Sequence, residues 1–250
     1  MRYSYSQKSY YDKTILTLVN STTATEVQRI DVHLGRDDVN GSEHTIDGRR
    51  FPMEIQILAY NTDLYANFSS ASHSPHGIAA VSVLVDVSLR FGIETNPELL
   101  KLTIATASVL HRDQRVELAD LEPWKLLPYT RDYVTYEGSM TSPGCDETVT
   151  WIIINQPIHI TTDHLFEWGK MLQSGGKEDE PHFLGPNRRG QQEFNSRLLR
   201  TNIQHKIKAR QECKIQLPKV TYKSNIQAEP QLQKHKKRHT HNRRERDHPI

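Results

Sequence analysis

The stretch of sequence that decides the fold is DVHLGRDDVNGSEHTIDGRRFPMEIQILAYN, residues 31–61. It begins and ends with runs of alternating apolar and polar residues, and glycines interrupt the connection between them. This pattern predicts two β-strands joined by a long connection. Because side chains two apart on a strand share a face, Asp31 and His33 are predicted to point the same way, as are Glu54 and Gln56.

The same stretch resembles the centre of an α-type carbonic anhydrase. The similar segments are HLG at 33–35, GSEHT at 41–45 and the pattern E-x-Q-x-x-x-YN that ends at Asn61. A second block, YEGSMTSPGCDETVTWIIINQPI at 136–158, resembles the family's G-S-x-T-x-P motif and the strand after it. Two long blocks in the family's order are far more specific than one short motif.

The resemblance implies a single α+β domain with a large twisted, mainly antiparallel central β-sheet and peripheral helices. We place this domain at residues 13–205, after a disordered N-terminus (1–12) and before a basic, His-rich disordered tail (206–250). Only about thirty residues precede Asp31, fewer than the family places there. We therefore expect the domain to be incomplete at its N-terminal side through truncation, with any signal peptide lost in the same way.

Periodicity and turn residues predict the remaining elements. Residues 61–75 and 177–194 are predicted to be polar connections. Helical segments are predicted within 91–110, within 120–127, and from Thr161 or Thr162 to Leu172. Strands are predicted at 13–19, 77–87, 134–136, 148–154, 158–160 and 198–203.

Members of the family bind zinc through three histidines. The resemblance places the corresponding positions of this chain at Asp31, His33 and Gln56. Only His33 is still a histidine. Aspartate can bind zinc, but the glutamine amide is a neutral, weak ligand. The sequence therefore predicts a lost zinc site, with no cofactor and no catalytic residue. The alternative is a zinc-dependent carbonate dehydratase, a lyase with weak residual activity through Asp31 and His33.

Three further positions of the family site are kept. Glu43 and Thr141 match the pair that orients the zinc-bound hydroxide, and Glu54 matches a carboxylate that steadies a zinc histidine. With Gln56 in place of that histidine, Glu54 is predicted to bind its amide. Without a metal, the simpler interpretation is a set of buried polar groups that hydrogen-bond to one another.

A conserved scaffold with lost ligands resembles the carbonic anhydrase-related proteins, especially the secreted branch numbered ten and eleven. The segments that point there are E-x-Q with the following YN, SMTSPGCDET at 139–148 and RTNI at 200–203. This resemblance implies a secreted pseudoenzyme that binds cell-surface proteins, such as neurexin-like partners. A third hypothesis is a truncated product that folds poorly and has no function.

The charge of the chain is concentrated at its C-terminal end. The formal net charge of all 250 residues is only +2, which does not suggest a nucleic-acid partner. No apolar run approaches the roughly 20 residues of a membrane helix. Residues 231–250 hold seven Lys or Arg, two acidic residues and four histidines. This tail is predicted to contact acidic polysaccharides or anionic lipids, unless it is simply solvated or captures metal through its histidines.

Two sequons and two cysteines complete the candidate sites. Asn20 and Asn67 each begin an N-x-Ser/Thr sequon, which fits a secreted glycoprotein. The resemblance assigns Cys145 to a disulfide whose N-terminal partner is missing from this chain. Cys145 can therefore be free, paired with Cys213, or bridged to another chain.

Overall fold

The computed structural model describes residues 2–4, 25–36, 39–88, 93–118, 120–171 and 182–203. In this part of the chain, one β-sheet forms the body of the molecule and short helices lie at its periphery. The helices are α1 (Phe68–Ser72), α2 (Pro97–Thr106) and α3 (Thr162–Gly169), with a 3-10 turn at Pro123–Leu126. The strands are β1 (Arg2–Ser4), β2 (Thr25–Leu34), β3 (Met53–Asn61), β4 (Ile78–Val87), β5 (Tyr133–Gly138), β6 (Val149–Ile154), β7 (Ile158–Ile160) and β8 (Arg200–Thr201).

The described strands follow the order β1-β2-β3-β4-β6-β5-β8, and β7 pairs with β4 beyond the end of β6. Only the β4–β6 and β4–β7 pairs are parallel, and the other five pairs are antiparallel. The predicted α+β domain with a large, mainly antiparallel sheet is therefore confirmed.

The centre of the sheet is formed by β3 and β4, because their apolar runs can be covered on both faces. All of β3 is buried, and β4 is buried from Ile78 to Val85. On one face, α2 and α3 contribute Leu99, Leu102 and Trp168 to the main core, which also contains alternate residues of β2, β3 and β4. Near-continuous apolar runs of this kind are typical of strands covered on both sides.

Local signals explain where the helices begin. Asn96 caps α2 by accepting hydrogen bonds from the backbone N–H groups of Glu98 and Leu99, and Pro97 occupies the first turn. Thr161 caps α3 through its side chain, as predicted. The prediction that α3 continues to Leu172 is wrong. The helix ends at Gly169, where the Lys170 N–H bonds the Glu167 carbonyl at 3.2 Å and so tightens the last turn.

The predicted disorder of residues 1–12 does not hold for Arg2–Ser4. These residues form β1 and pair with Arg29–Asp31 of β2. A strand of three residues is too short to show an apolar and polar alternation, so the sequence does not predict this pairing of backbones. Residues 5–24, which include the predicted strand at 13–19, lie outside the described residues, as do 172–181 and the tail from 204 onward.

The connection predicted at 61–75 contains a short helix that the sequence pattern did not reveal. Asn67 caps α1 by accepting a hydrogen bond from the Ser70 N–H at 2.9 Å. With only five residues, α1 is too short for an apolar periodicity to be visible.

Candidate functional site

A polar stripe crosses one face of the sheet at β2, β3 and β4. In the antiparallel register Asp31 lies opposite Gln56, and His33 lies opposite Glu54. The exposed fractions of these four residues are 6%, 0%, 8% and 0% respectively, although all four are polar. The strands thus bring the predicted positions together at one buried place, where every polar group needs a partner.

Gln56 lies at the centre of this stripe, and its amide is oriented by its neighbours. Its Nε2 donates to Glu54 Oε1 at 2.9 Å, which is the hydrogen bond predicted from the sequence. Its Oε1 accepts from Thr141 Oγ1 at 3.0 Å. Because a carboxylate only accepts hydrogen bonds, the nitrogen of the amide must face Glu54, and the oxygen must face the opposite side.

His33 faces oxygen atoms with both of its ring nitrogens. Nε2 lies 3.2 Å from Gln56 Oε1. Nδ1 lies 3.2 Å from the Asn187 carbonyl and 3.2 Å from Glu43 Oε1. An imidazole nitrogen that donates a hydrogen has no lone pair left for a metal. In this arrangement, oxygen atoms of Gln56, Asn187 and Glu43 occupy the positions in front of both ring nitrogens of His33.

Asp31 is held by a different partner. Its Oδ2 lies 3.0 Å from Arg29 Nη2, two residues earlier on the same strand and the same face. The guanidinium offsets the charge of the carboxylate, which weakens Asp31 as a ligand for a cation. Within the described residues, no three His, Cys, Asp or Glu side chains are grouped as a metal centre would require. The donor set around Asp31, His33 and Gln56 does not fit a zinc ion.

Glu54 anchors a second part of the network, which includes His44. The His44 backbone N–H donates to Glu54 Oε2 at 2.8 Å, and His44 Nδ1 lies 2.7 Å from Glu54 Oε1. Ser82 Oγ also donates to Oε1, at 2.9 Å. Burial raises the pKa of Glu54, but the charge and hydrogen bonds of His44 and the charge of His33 outweigh it and lower the pKa to about 2. Glu54 is therefore a buried carboxylate that is stabilised by donors on several sides.

On its other side, His44 reaches Tyr136, whose hydroxyl lies 2.8 Å from Nε2. Burial and the negative charge of Glu54 raise the pKa of this phenol. Tyr136 therefore stays protonated, and it can complete the chain of hydrogen bonds from Glu54 through the imidazole.

Glu43 and Thr141, which match an orienting pair in the family, contact different partners here. Glu43 Oε1 accepts from the Arg189 backbone N–H at 3.0 Å and faces His33, whereas Thr141 donates to Gln56. Burial raises the pKa of Glu43, although the charge of His33 and the Arg189 hydrogen bond oppose this effect. Both residues are thus used to satisfy neighbouring side chains and backbone.

Sequence reasoning missed several residues that complete the site. Asn187 and Arg189 lie in the predicted polar loop, and no local pattern distinguishes them. Asn187 Nδ2 donates to the Val32 carbonyl at 2.9 Å, and its Oδ1 accepts from the Leu34 N–H at 2.7 Å. For His44, a signal was present in the GSEHT segment, but only its neighbour Glu43 was assigned a role.

Beside the polar stripe lies a cavity of about 380 Å³. Its lining is mixed: the Arg29 guanidinium lies 5.2 Å from the centre of the Phe68 ring, and His73 Nδ1 lies 2.8 Å from Asp146 Oδ2. The remaining lining residues are Ser72, Met140, Ser142 and Pro143. This volume is in the range of small-molecule sites, although the lining is more polar than is usual there.

The other predicted site residues are spread over the surface or lie outside the described residues. Asn67 is exposed, and its side-chain oxygen caps α1. Cys145 is exposed and has no disulfide partner among the described residues. Asn20, Cys213 and the basic tail are not among the described residues, so their roles remain predictions. None of the described helices is both long and apolar enough to cross a membrane.

The sheet and its buried stripe of Glu, His and Thr positions define a domain of the carbonic anhydrase type. A sequence model of the eukaryotic-type carbonic anhydrase family matches residues 5–203. The chain therefore belongs to this family, among its carbonic anhydrase-related proteins.

Individual relatives agree with this assignment. The chain is 66% identical over 182 residues to putative carbonic anhydrase-like protein 1 of Caenorhabditis elegans, which covers 72% of this chain and 48% of that protein. It is 51% identical over 180 residues to putative carbonic anhydrase-like protein 2 of the same organism, covering 71% and 52%. Mouse carbonic anhydrase 7 is 30% identical over 178 residues, covering 71% and 65%. The chain spans about half the length of the two nematode relatives.

Proposed function

We propose that this chain is a catalytically inactive carbonic anhydrase-related protein that acts as a secreted or cell-surface binding module. The observation that carries the proposal is the position of the Gln56 amide, which binds Glu54, Thr141 and His33 at once. The atoms that would have to face a zinc ion are used to satisfy one another. Breaking these hydrogen bonds would leave buried polar groups without partners, which costs about 1–3 kcal/mol each.

Loss of the metal removes the chemistry of the family. A catalytic zinc lowers the pKa of its bound water to about 7 and so supplies hydroxide at neutral pH. No residue in the stripe can replace that role: Glu54 is already bound by His44, Ser82 and Gln56. The proposal therefore includes no zinc and no other cofactor.

The remaining role is binding, and the sequence supports an extracellular setting. Asn67 begins a sequon and is exposed, as glycosylation requires.

We propose a cell-surface protein, neurexin-like, as the partner, with acidic polysaccharide or lipid as a further contact of residues 231–250. A direct test is binding of the purified chain to cells that display a neurexin ectodomain. Equal binding to cells without it would rule this partner out.

The decisive experiment for the inactive state is zinc stoichiometry on metal-dialysed protein, together with carbon dioxide hydration after zinc is added back. We expect far less than one zinc per chain and no rate above buffer. The rival function is a weak carbonate dehydratase that uses Asp31 and His33. It would be established by about one zinc per chain and a rate that His33→Ala abolishes.

A further inference from the structure

Three arginines from distant parts of the sequence lie on one group of converging loops. Arg36 follows β2, Arg50 precedes β3, and Arg188 belongs to the segment after residue 181. The loops meet closely because glycines leave room for the backbone. A Cβ on Gly41 would lie 1.7 Å from the Pro52 carbonyl oxygen, and one on Gly185 would lie 2.5 Å from the Gly35 carbonyl oxygen.

Two of these guanidinium groups are fixed in place by backbone carbonyls. Arg50 Nη1 donates to the carbonyls of Ser42 and Glu43, the latter at 3.2 Å. Arg188 Nε donates to the Asn40 carbonyl at 2.7 Å. The acceptors lie within four consecutive residues, so the two side chains reach the same short loop. Carbonyl acceptors hold a guanidinium without neutralising its charge.

Neither Arg50 nor Arg188 forms an ion pair with a carboxylate among the described residues, although the charges of Glu43 and Glu54 act on Arg50. The carboxylate of Glu43 faces inward, toward His33 and the Arg189 N–H. Burial lowers the pKa of Arg50, and the charge of Arg188 lowers it further, which agrees with two cations held close together; the charges of Glu43 and Glu54 oppose this shift without reversing it. Arg36 is exposed, and its backbone lies against Gly185, so it adds a third positive charge to the same group of loops.

The neighbouring Arg49 provides a contrast within the same loop. Its Nη2 binds both carboxylate oxygens of Asp86, at 3.1 and 2.9 Å, and its guanidinium lies 4.9 Å from the centre of the Phe51 ring. Arg49 is therefore an ordinary surface ion pair, whereas Arg50 and Arg188 have donor atoms left for an external acceptor.

We propose that Arg36, Arg50 and Arg188 form an oxyanion site that binds the sulfate groups of a linear sulfated polysaccharide. A guanidinium offers a planar fork of donors that matches the oxygens of sulfate or phosphate. The basic tail, with its seven Lys or Arg in residues 231–250, has the same sign and would bind the same chain. The inference uses the extracellular setting proposed above only as its biological context.

The fixed geometry favours a polysaccharide over the other polyanions. Single-stranded nucleic acids are usually bound by aromatic side chains that stack on bases, and neither Arg50 nor Arg188 contacts an exposed aromatic ring in the described residues. An anionic membrane attracts basic residues by diffuse charge, for which a fixed fork brings no advantage. Two guanidinium groups in fixed positions can instead recognise the spacing of discrete sulfate groups along a stiff polysaccharide.

The test is titration of the full chain with a heparin-derived octasaccharide at fixed ionic strength. The variant R50Q/R188Q is expected to weaken binding about tenfold or more, through loss of two charge-assisted contacts. The slope of log Kd against log salt should also become shallower. R49Q is the matched control and should leave the affinity within about twofold, because Arg49 is paired with Asp86. A desulfated octasaccharide, which keeps only its carboxylates, should bind the native chain much more weakly than the sulfated one.

Three further results decide the outcome. R50K/R188K keeps the charge but loses the fork, so intermediate affinity supports the proposal. Replacement of the seven tail Lys and Arg by Gln should weaken binding while the effect of R50Q/R188Q persists. If R50Q/R188Q binds the octasaccharide as tightly as the native chain does, the proposal is wrong. It is also wrong if the double substitution weakens binding to phosphatidylserine vesicles as much as it weakens binding to the octasaccharide. Unfolding midpoints of all variants show whether a loss reflects the site or the fold, and none of these results depends on zinc or on the neurexin-like partner.

Discussion

Thr141 Oγ1 lies 3.0 Å from the side-chain oxygen of Gln56, although the two residues are 85 positions apart. The family resemblance assigns these two positions to a group that orients the nucleophile and to a metal ligand. Here the hydroxyl satisfies the amide that replaced the ligand. Thr141, Gln56, Glu54 and His33 are thus linked in one hydrogen-bond network on this face of the sheet.

Restoring the two missing histidines should restore metal binding. The variant D31H/Q56H places three imidazoles on β2 and β3, where His33 keeps its Nδ1 contact with the Asn187 carbonyl. We expect close to one zinc per chain after dialysis, because three histidines with one open position are a proven catalytic zinc site. Metal content measured by mass spectrometry checks this, with D31H/Q56H/H33A as the control. Equal zinc in the unmodified chain would contradict the prediction.

The hydroxyl of Thr141 should matter for stability even without catalysis. Thr141→Val removes the donor to Gln56 Oε1 while it preserves the shape of the side chain. We expect a loss of about 1 kcal/mol in the free energy of unfolding, the typical net value of one hydrogen bond. Thr141→Ser keeps the hydroxyl and should lose less than half of that. Urea unfolding curves for the three proteins measure the difference, and identical midpoints for Thr141→Val and the native chain would exclude this role.

Because of Glu54, the free energy of unfolding should decrease at acidic pH. Its pKa is about 2 in the folded chain against an ordinary value of 4.5, so its ionised form stabilises the fold. This contribution is fully present above about pH 4.5 and is lost as the pH falls toward 2. The raised pKa of Glu43 acts in the opposite direction, because protonation of that group favours the fold below its folded pKa.

The measurement that isolates Glu54 compares Glu54→Gln with the native chain between pH 7 and pH 3. The difference in unfolding free energy should be largest at neutral pH and should shrink below about pH 4.5, because Glu54 then binds a proton in the unfolded native chain while it stays ionised in the folded one. Glu167→Gln is the control, because Glu167 forms only an exposed ion pair with Lys170. Parallel pH profiles for Glu54→Gln and the native chain would show that the carboxylate charge does not stabilise the fold.

The sequence predicted those parts of the fold whose signal is local. The apolar runs of β3 and β4 identify buried strands, and the alternation around Asp31 and Gln56 places both on one face. The end of α3 was misplaced, since the apolar Met171 continues the helical pattern while the backbone has already tightened after Gly169. Propensity alone does not register such a change at a helix end.

The candidate site was predictable only in part, for a related reason. Its residues on β2 and β3 lie within one 31-residue stretch, residues 31–61, where spacing is informative. Asn187 is 154 positions from His33, and Arg189 is 146 positions from Glu43. Contacts at such separations are set by how the loop packs against the sheet, and no local pattern encodes them. The partners of His33 could therefore be identified only from the three-dimensional arrangement.

The convergence of loops near Gly41 should be among the most sensitive points of the fold. A Cβ there would lie 1.7 Å from the Pro52 carbonyl oxygen and 2.6 Å from the Gly35 backbone nitrogen, both of them backbone atoms that cannot rotate away. The Gly41 N–H also donates to the Phe51 carbonyl at 2.7 Å, so moving the loop would break a hydrogen bond. Gly41→Ala should therefore cost about 3 kcal/mol or more in the free energy of unfolding.

Gly169→Ala is the matched control for that substitution. A Cβ on Gly169 would have no heavy atom within 4 Å, and the residue lies in the last turn of α3. Alanine there should leave stability unchanged or raise it by up to about 1 kcal/mol, because it restricts the unfolded chain more than glycine does. Urea unfolding of both variants gives the comparison. If Gly41→Ala unfolds at the same midpoint as Gly169→Ala, the loops do not pack as closely as this structure has them, and the fixed geometry of Arg50 and Arg188 would lose its basis.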